Sequence, residues 1–66
     1  MNNKELQEMQ EMAQFVFDNG EMLERNAFML GEQYKISYVF KLDGYKYYIT
    51  STDGEWTYFF RGGEIL

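Results

Sequence analysis

Apolar residues near the start of the chain recur every three or four positions, which predicts an amphipathic helix with one apolar arc. The arc contains Leu6, Met9, Ala13, Val16 and Phe17. Asn2 or Asn3 can cap the helix, and Glu5 complements the positive end of its dipole. Asn19-Gly20 is a natural stop. We therefore expect one helix from the N-terminus to this pair.

The opposite side of the predicted helix is acidic, since Glu8, Glu11 and Asp18 fall there at about 100° per residue. Phe15 lies among them. An aromatic side chain ringed by acids is typical of the anchor of a protein-binding surface, so these four residues are predicted to bind a partner. The alternatives are an ordinary solvated helix face and a Phe15 that is covered by residues 21–30.

The next segment, residues 21–30, is ambiguous. Its apolar residues fit a short second helix closed by Gly31, namely Met22, Leu23, Ala27 and Leu30. Residues 27–30 also fit an apolar strand that leads into a turn at Gly31-Glu32. We expect the short helix.

Two Asp-Gly pairs, Asp43-Gly44 and Asp53-Gly54, separate aromatic runs of alternating character. Asp-Gly favours the two-residue type I′ hairpin turn, which needs a positive φ at both central positions. Residues 33–62 are therefore predicted to form a three-stranded antiparallel β-meander. With the helix on one face, this predicts a single α+β domain over residues 1–66.

A two-residue turn also fixes the strand register. The first turn predicts the pairs Leu42–Tyr45, Phe40–Tyr47, Tyr38–Ile49 and Ile36–Ser51. The second predicts Ser51–Trp56, Ile49–Tyr58 and Tyr47–Phe60. One face of the sheet then forms the core beneath the helix, with Ile36, Tyr38, Phe40, Leu42, Tyr45, Tyr47, Ile49, Trp56, Tyr58 and Phe60.

The other face of the predicted sheet carries a basic row of Lys41, Lys46 and Arg61, with Tyr48 and Phe59 beside it. Like charges directly opposite each other on adjacent strands are destabilising. The row therefore suggests a site for an acidic partner, anchored by the two aromatic residues. The alternative is that the long basic side chains extend into water while their stems cover these rings.

Composition narrows the possible functions. The 66 residues carry a net charge of -5, all of it in residues 1–32, which contain seven acidic and two basic residues. This makes nucleic-acid binding unfavourable, because phosphates would be repelled by the same small body. The chain has no histidine or cysteine and no Gly-rich phosphate loop, so we expect no enzyme activity, cofactor or metal.

No window approaches the ~18 apolar residues of a membrane span, and the N-terminus lacks the apolar core of a signal peptide. We therefore expect a complete, soluble, cytoplasmic protein without a membrane partner.

These features predict a small acidic protein-binding module that inhibits or modulates a larger macromolecule. In size, acidity and absence of catalytic groups, the chain is similar to inhibitors that phages and mobile elements direct against host machinery, including anti-CRISPR and other DNA-mimicking proteins. The alternative is a homo-oligomeric module or accessory subunit that associates through the outer sheet face or an edge strand at residues 33–42. A single-strand nucleic-acid binder that stacks bases on Tyr48 and Phe59 ranks third.

Overall fold

One helix and a four-stranded antiparallel sheet make up the computed structural model, which describes residues 2–64. The elements are α1 (Asn3–Asn19), β1 (Glu21–Leu30), β2 (Gln33–Leu42), β3 (Tyr45–Thr52) and β4 (Glu55–Glu64). The strands lie in the order β1-β2-β3-β4, so each one pairs with its neighbour in sequence. The predicted α+β class is confirmed, and the sheet has one strand more than predicted.

Helix α1 begins and ends where the sequence predicts. The Asn2 side chain accepts a hydrogen bond from the Glu5 backbone N–H at 2.8 Å, which satisfies one of the free donors of the first turn. At the other end, the Gly20 N–H donates to the Val16 carbonyl at 2.8 Å. A Cβ atom on Gly20 would lie 2.8 Å from that carbonyl oxygen and 3.1 Å from the carbonyl oxygen of Lys41. Glycine therefore lets the chain turn closely against β2.

Both Asp-Gly turns have the predicted backbone. Asp43 and Gly44 have φ values of 52° and 82°, and Asp53 and Gly54 have values of 50° and 88°. Positive φ at two successive positions is the signature of a type I′ turn. The two hairpins β2–β3 and β3–β4 therefore follow from the local sequence.

The expected second helix is wrong, because residues 21–30 form strand β1. This strand pairs with β2 along its length, from Glu21 opposite Lys41 to Leu30 opposite Gln33. Gly31, with φ of 64°, supplies the first position of the connecting turn. Strand β2 is consequently paired on both sides, so the expected edge strand at residues 33–42 is also wrong. The edges of the sheet are β1 and β4.

The register of the first Asp-Gly hairpin is confirmed for all four predicted pairs. In the second hairpin Ser51 pairs with Trp56 as predicted, but the next pairs are Thr50–Tyr58 and Ile49–Phe59. The predicted pairs Ile49–Tyr58 and Tyr47–Phe60 are therefore wrong.

The cause of the shift is a β-bulge, in which Thr57 is the extra residue on β4. Its hydroxyl lies 2.8 Å from that of Thr52 and donates to the Thr50 carbonyl at 3.4 Å. An extra residue reverses the direction of every side chain beyond it. Tyr58 and Phe60 therefore face outward, 50% and 53% exposed, instead of contributing to the core.

The core lies between α1 and the inner face of the sheet. Its buried apolar residues are Ala13, Val16, Tyr38, Phe40 and Ile49. The ring of Phe17 packs beside them, with centroids 5.4 Å from Tyr38 and 5.6 Å from Phe40. Two glutamines of α1 form hydrogen bonds with Trp56 of β4. The Gln10 side-chain amide donates to the Trp56 carbonyl at 3.1 Å, and the Trp56 indole N–H donates to the Gln14 side chain at 2.9 Å.

Candidate functional site

An open groove of about 440 Å³ runs along one flank of α1, where the helix leaves part of the sheet uncovered. We call it the acidic groove. The helix contributes Glu8, Glu11, Met12, Phe15 and Val16, and the sheet contributes Leu42, Asp43, Tyr47 and Phe59. Helix α1 lies mainly over β4, and the inner-face residues Leu42 and Tyr47, at the β2–β3 turn end of the sheet, are only partly buried.

The acidic groove combines an apolar floor with a negative rim. Phe15 and Met12 are 59% and 50% exposed, although both belong to a helix that is packed on its other side. Glu8, Glu11 and Asp43 are exposed carboxylates around them, and no basic residue is among those that line the groove. Exposed apolar side chains beside charges of one sign provide both a hydrophobic contact and a preference for cationic partners.

The four partner-binding residues predicted on the helix are not equivalent in the structure. Glu8, Glu11 and Phe15 line the acidic groove, whereas Asp18 is outside its lining. Asp18 accepts a hydrogen bond from the Gln14 amide at 2.9 Å instead. Strand β1 does not cover Phe15, so the alternative in which residues 21–30 bury it is wrong.

The predicted basic row is broken by the bulge in β4. Lys41 and Lys46 face each other across β2 and β3 as predicted, but Arg61 pairs with Tyr47 on the inner face. Its guanidinium lies 4.8 Å from the centroid of the Tyr45 ring, a cation–π contact. The expected row of three cations on the outer face is therefore wrong.

The aromatic residues beside that row also differ from the prediction. Tyr48 lies on the outer face as predicted, but the ring beside it is that of Phe60, at a centroid distance of 6.2 Å. Phe59 turns inward, packs 5.7 Å from Tyr47 and lines the acidic groove. The nine predicted site residues therefore fall on two opposite sides of the molecule.

The remaining lysine pair leads to a prediction about stability. Lys46→Thr removes one of two like charges that face each other directly, so we expect it to raise the free energy of unfolding by up to about 1 kcal/mol. Thermal denaturation at low salt measures the change. Lys35→Thr, at an outer-face position of β2 that pairs with Thr52, is the control. It faces no cation and loses the hydrogen bond that Lys35 Nζ donates to the Thr52 hydroxyl at 2.9 Å, so it should lower the melting temperature. A lower melting temperature for Lys46→Thr would mean that the stem of this lysine packs usefully on the sheet.

The predicted site residues omit five that line the groove, namely Met12, Val16, Leu42, Asp43 and Tyr47. The helix periodicity places Val16 in the apolar arc, the predicted register places Leu42 and Tyr47 on the core face, and Asp43 is predicted only as a turn residue. The first hairpin register nevertheless puts Leu42 and Tyr47 at the turn end of the inner face, next to Asp43.

Comparisons with protein-family models, curated proteins and solved structures find no match to this chain. Within residues 2–64, α1 is the one helix, and it is neither long nor apolar enough to cross a membrane.

Proposed function

We propose that this protein is a non-enzymatic binding module that inhibits or modulates a larger macromolecule, in the manner of the small anti-CRISPR and other DNA-mimicking inhibitors of phages and mobile elements. Its partner presents a basic segment with an apolar side chain, and the acidic groove receives that segment. The observation that carries the proposal is Phe15, a large aromatic side chain that is 59% exposed between acidic residues.

The apolar part of the acidic groove supplies affinity in this proposal. Aromatic residues at the centre of an interface contribute much of the binding energy when a partner excludes water from them. Phe15 and Met12 project from the helix, and the rings of Tyr47 and Phe59 form the facing wall. In this proposal, a leucine- or phenylalanine-sized side chain of the partner packs between them.

The acidic rim of the groove supplies specificity for basic partners and a fast rate of association. Glu8 and Glu11 are one helical turn apart on the rim, and Asp43 faces them from the β2–β3 turn. Such a rim attracts lysine and arginine, accelerates association and repels nucleic acid. A protein site that normally binds phosphates has the complementary charge, which is why a nucleic-acid-binding protein is the favoured class of target.

A peptide titration tests this proposal. The probe is a short arginine-rich peptide with one central leucine, and a twin with serine in place of leucine reports the apolar contribution. We expect NMR shifts of Glu8, Glu11 and Phe15 amides with the first peptide and weaker binding of the twin.

Charge reversal at the rim should weaken this binding. For Glu8→Lys with Glu11→Lys we expect about ten-fold or greater loss of affinity and a smaller dependence on salt. Glu32→Lys with Glu55→Lys is the matched control, because it makes the same change in net charge at two exposed acids outside the acidic groove. Equal losses in both double variants would overturn the proposal, since binding would then depend on net charge alone.

A further inference from the structure

Strand β1 is an edge strand that nothing in the described chain covers. All ten of its residues are exposed, although six are apolar. Its large apolar side chains are between 39% and 61% exposed, namely Met22, Leu23, Phe28, Met29 and Leu30. A long, exposed, hydrophobic edge strand is a template for pairing with another strand, and stable proteins normally protect such an edge.

The other edge of the sheet is protected. Helix α1 packs mainly against β4, and the Gln10 side-chain amide donates a hydrogen bond to the Trp56 carbonyl. The Thr57 bulge also interrupts β4 near its start, and bulges discourage pairing. The bulge of β1 lies at Leu23, close to the beginning of the strand, and residues 24–30 pair regularly with β2. Of the two edges, β1 is the one that can accept a further strand.

The residue pattern of β1 indicates which strand fits. Its polar centre is Glu24-Arg25-Asn26, and apolar residues lie on both sides, with Met22-Leu23 before it and Met29-Leu30 near its end. The two apolar ends of this pattern match when the strand is reversed about Asn26, whereas Glu24 then falls opposite Phe28 and Arg25 opposite Ala27. An antiparallel copy of β1 therefore brings apolar residues onto apolar residues at both ends of the pair.

The strand centre selects the register of such a pair. A two-fold axis at Arg25 would place two like charges opposite each other, which is unfavourable. An axis at Asn26 places two primary amides opposite each other, and an amide both donates and accepts hydrogen bonds. This register also sets Met22 and Leu23 against Leu30 and Met29 of the second copy.

The exposed apolar area of β1 approaches what a dimer interface needs. At about 200 Å² for a fully exposed large apolar side chain, the five exposed ones of β1 present about 500 Å² per copy. The backbone and the polar residues of the strand add to this. A stable interface buries about 600–1,000 Å² on each partner, so strand pairing approaches the required area without rearrangement.

We propose that a second copy of this chain is the occupant, and that two β1 strands pair in antiparallel fashion about Asn26 to form one continuous eight-stranded sheet. This inference is independent of the proposed function, because β1 contributes nothing to the lining of the acidic groove. The dimer carries two such grooves.

Disulfide trapping tests the register, since the chain has no cysteine of its own. Residues directly opposite in an antiparallel pair have Cα atoms about 4.5–5.5 Å apart, which is within the range of a disulfide of about 4.4–6.8 Å. We expect Asn26→Cys to form a covalent dimer rapidly under mild oxidation at micromolar concentration. Tyr58→Cys, an exposed position on β4, is the matched control and should remain mostly monomeric.

Sedimentation equilibrium of the unmodified chain tests the dimer without any substitution. For Met29→Lys with Leu30→Lys we expect a dimer Kd raised about ten-fold or more, with an unchanged melting temperature of the monomer. Tyr58→Lys with Phe60→Lys changes two comparably exposed residues on the other edge and should leave the Kd unchanged.

Two results would overturn the inference. The first is an unmodified chain that stays monomeric up to millimolar concentration, with a folded Asn26→Cys variant that resists cross-linking. The second is a dimer that dissociates with the Tyr58 and Phe60 substitutions, which would place the contact on β4 or the outer face. Glu8→Lys with Glu11→Lys should remain dimeric, so failure of the acidic groove and failure of the β1 contact are distinguishable.

Discussion

Phe15→Ala is expected to raise the Kd for the arginine-rich leucine peptide about 30-fold, the equivalent of about 2 kcal/mol. The expected loss is this large because Phe15 is an exposed ring in the lining of the acidic groove, where a bound partner would exclude water from it. The loss should appear mainly as faster dissociation, since apolar anchors act on dissociation and rim charges on association. Surface plasmon resonance measures both rates.

The matched control for Phe15 lies two residues further along the helix. Phe17 packs against Tyr38, Phe40 and Trp56, so Phe17→Ala should lower the melting temperature. Its folded fraction should bind the peptide with nearly unchanged affinity. If Phe15→Ala instead destabilises the fold and leaves the affinity of the folded fraction unchanged, then Phe15 is a packing residue and the acidic groove loses its anchor.

Ile49→Ala should produce one of the largest losses of stability among single truncations in the sheet. Ile49 is completely buried, and truncation of a buried isoleucine costs about 2–5 kcal/mol. A domain of this size has a total stability of about 3–10 kcal/mol, so the variant should be partly unfolded at room temperature. Urea denaturation followed by circular dichroism measures the shift of the midpoint.

Ile36 provides the comparison for Ile49, because it lies on the same face of the neighbouring strand but is only partly buried. Ile36→Ala should cost less than half as much as Ile49→Ala. Equal losses at the two positions would contradict the expectation that the cost follows burial, which is complete at Ile49 and partial at Ile36.

The parts of the fold that were predictable have local causes. The Asn2 cap and the spacing from Leu6 to Phe17 specify α1 without reference to the rest of the chain. The Asp43-Gly44 turn specifies its own hairpin, because only a short range of residues must stay in register around it. In both cases the deciding interaction joins residues that are close in sequence.

Strand β1 could not be recognised from its own residues. A strand with one buried face alternates apolar and polar positions. Neither face of β1 is buried, so its sequence does not need to alternate. The same apolar positions fit a helix. What makes residues 21–30 a strand is pairing with β2, which lies beyond the segment.

The outer face was wrongly predicted for a different reason. A turn fixes the nearest pairs, here Ser51–Trp56, but one extra residue further along reverses the residues from Tyr58 to Arg61, beyond which the register shifts a second time. Thr57 gives no clear warning of this in the sequence. Only part of the acidic groove is therefore predictable from the sequence. Glu8, Glu11 and Phe15 follow from helix geometry, whereas Phe59 lines the groove only because of the bulge.

The attachment of α1 to β4 determines when the acidic groove forms during synthesis. Gln10 and Trp56, which hold the helix to the last strand, are 46 residues apart along the chain, whereas every strand pair joins neighbours in sequence. On a ribosome, the hairpins can assemble as they emerge. The two walls of the acidic groove meet only after Phe59 has left the exit tunnel, so under the proposed function a nascent chain cannot bind a target through the groove before that point.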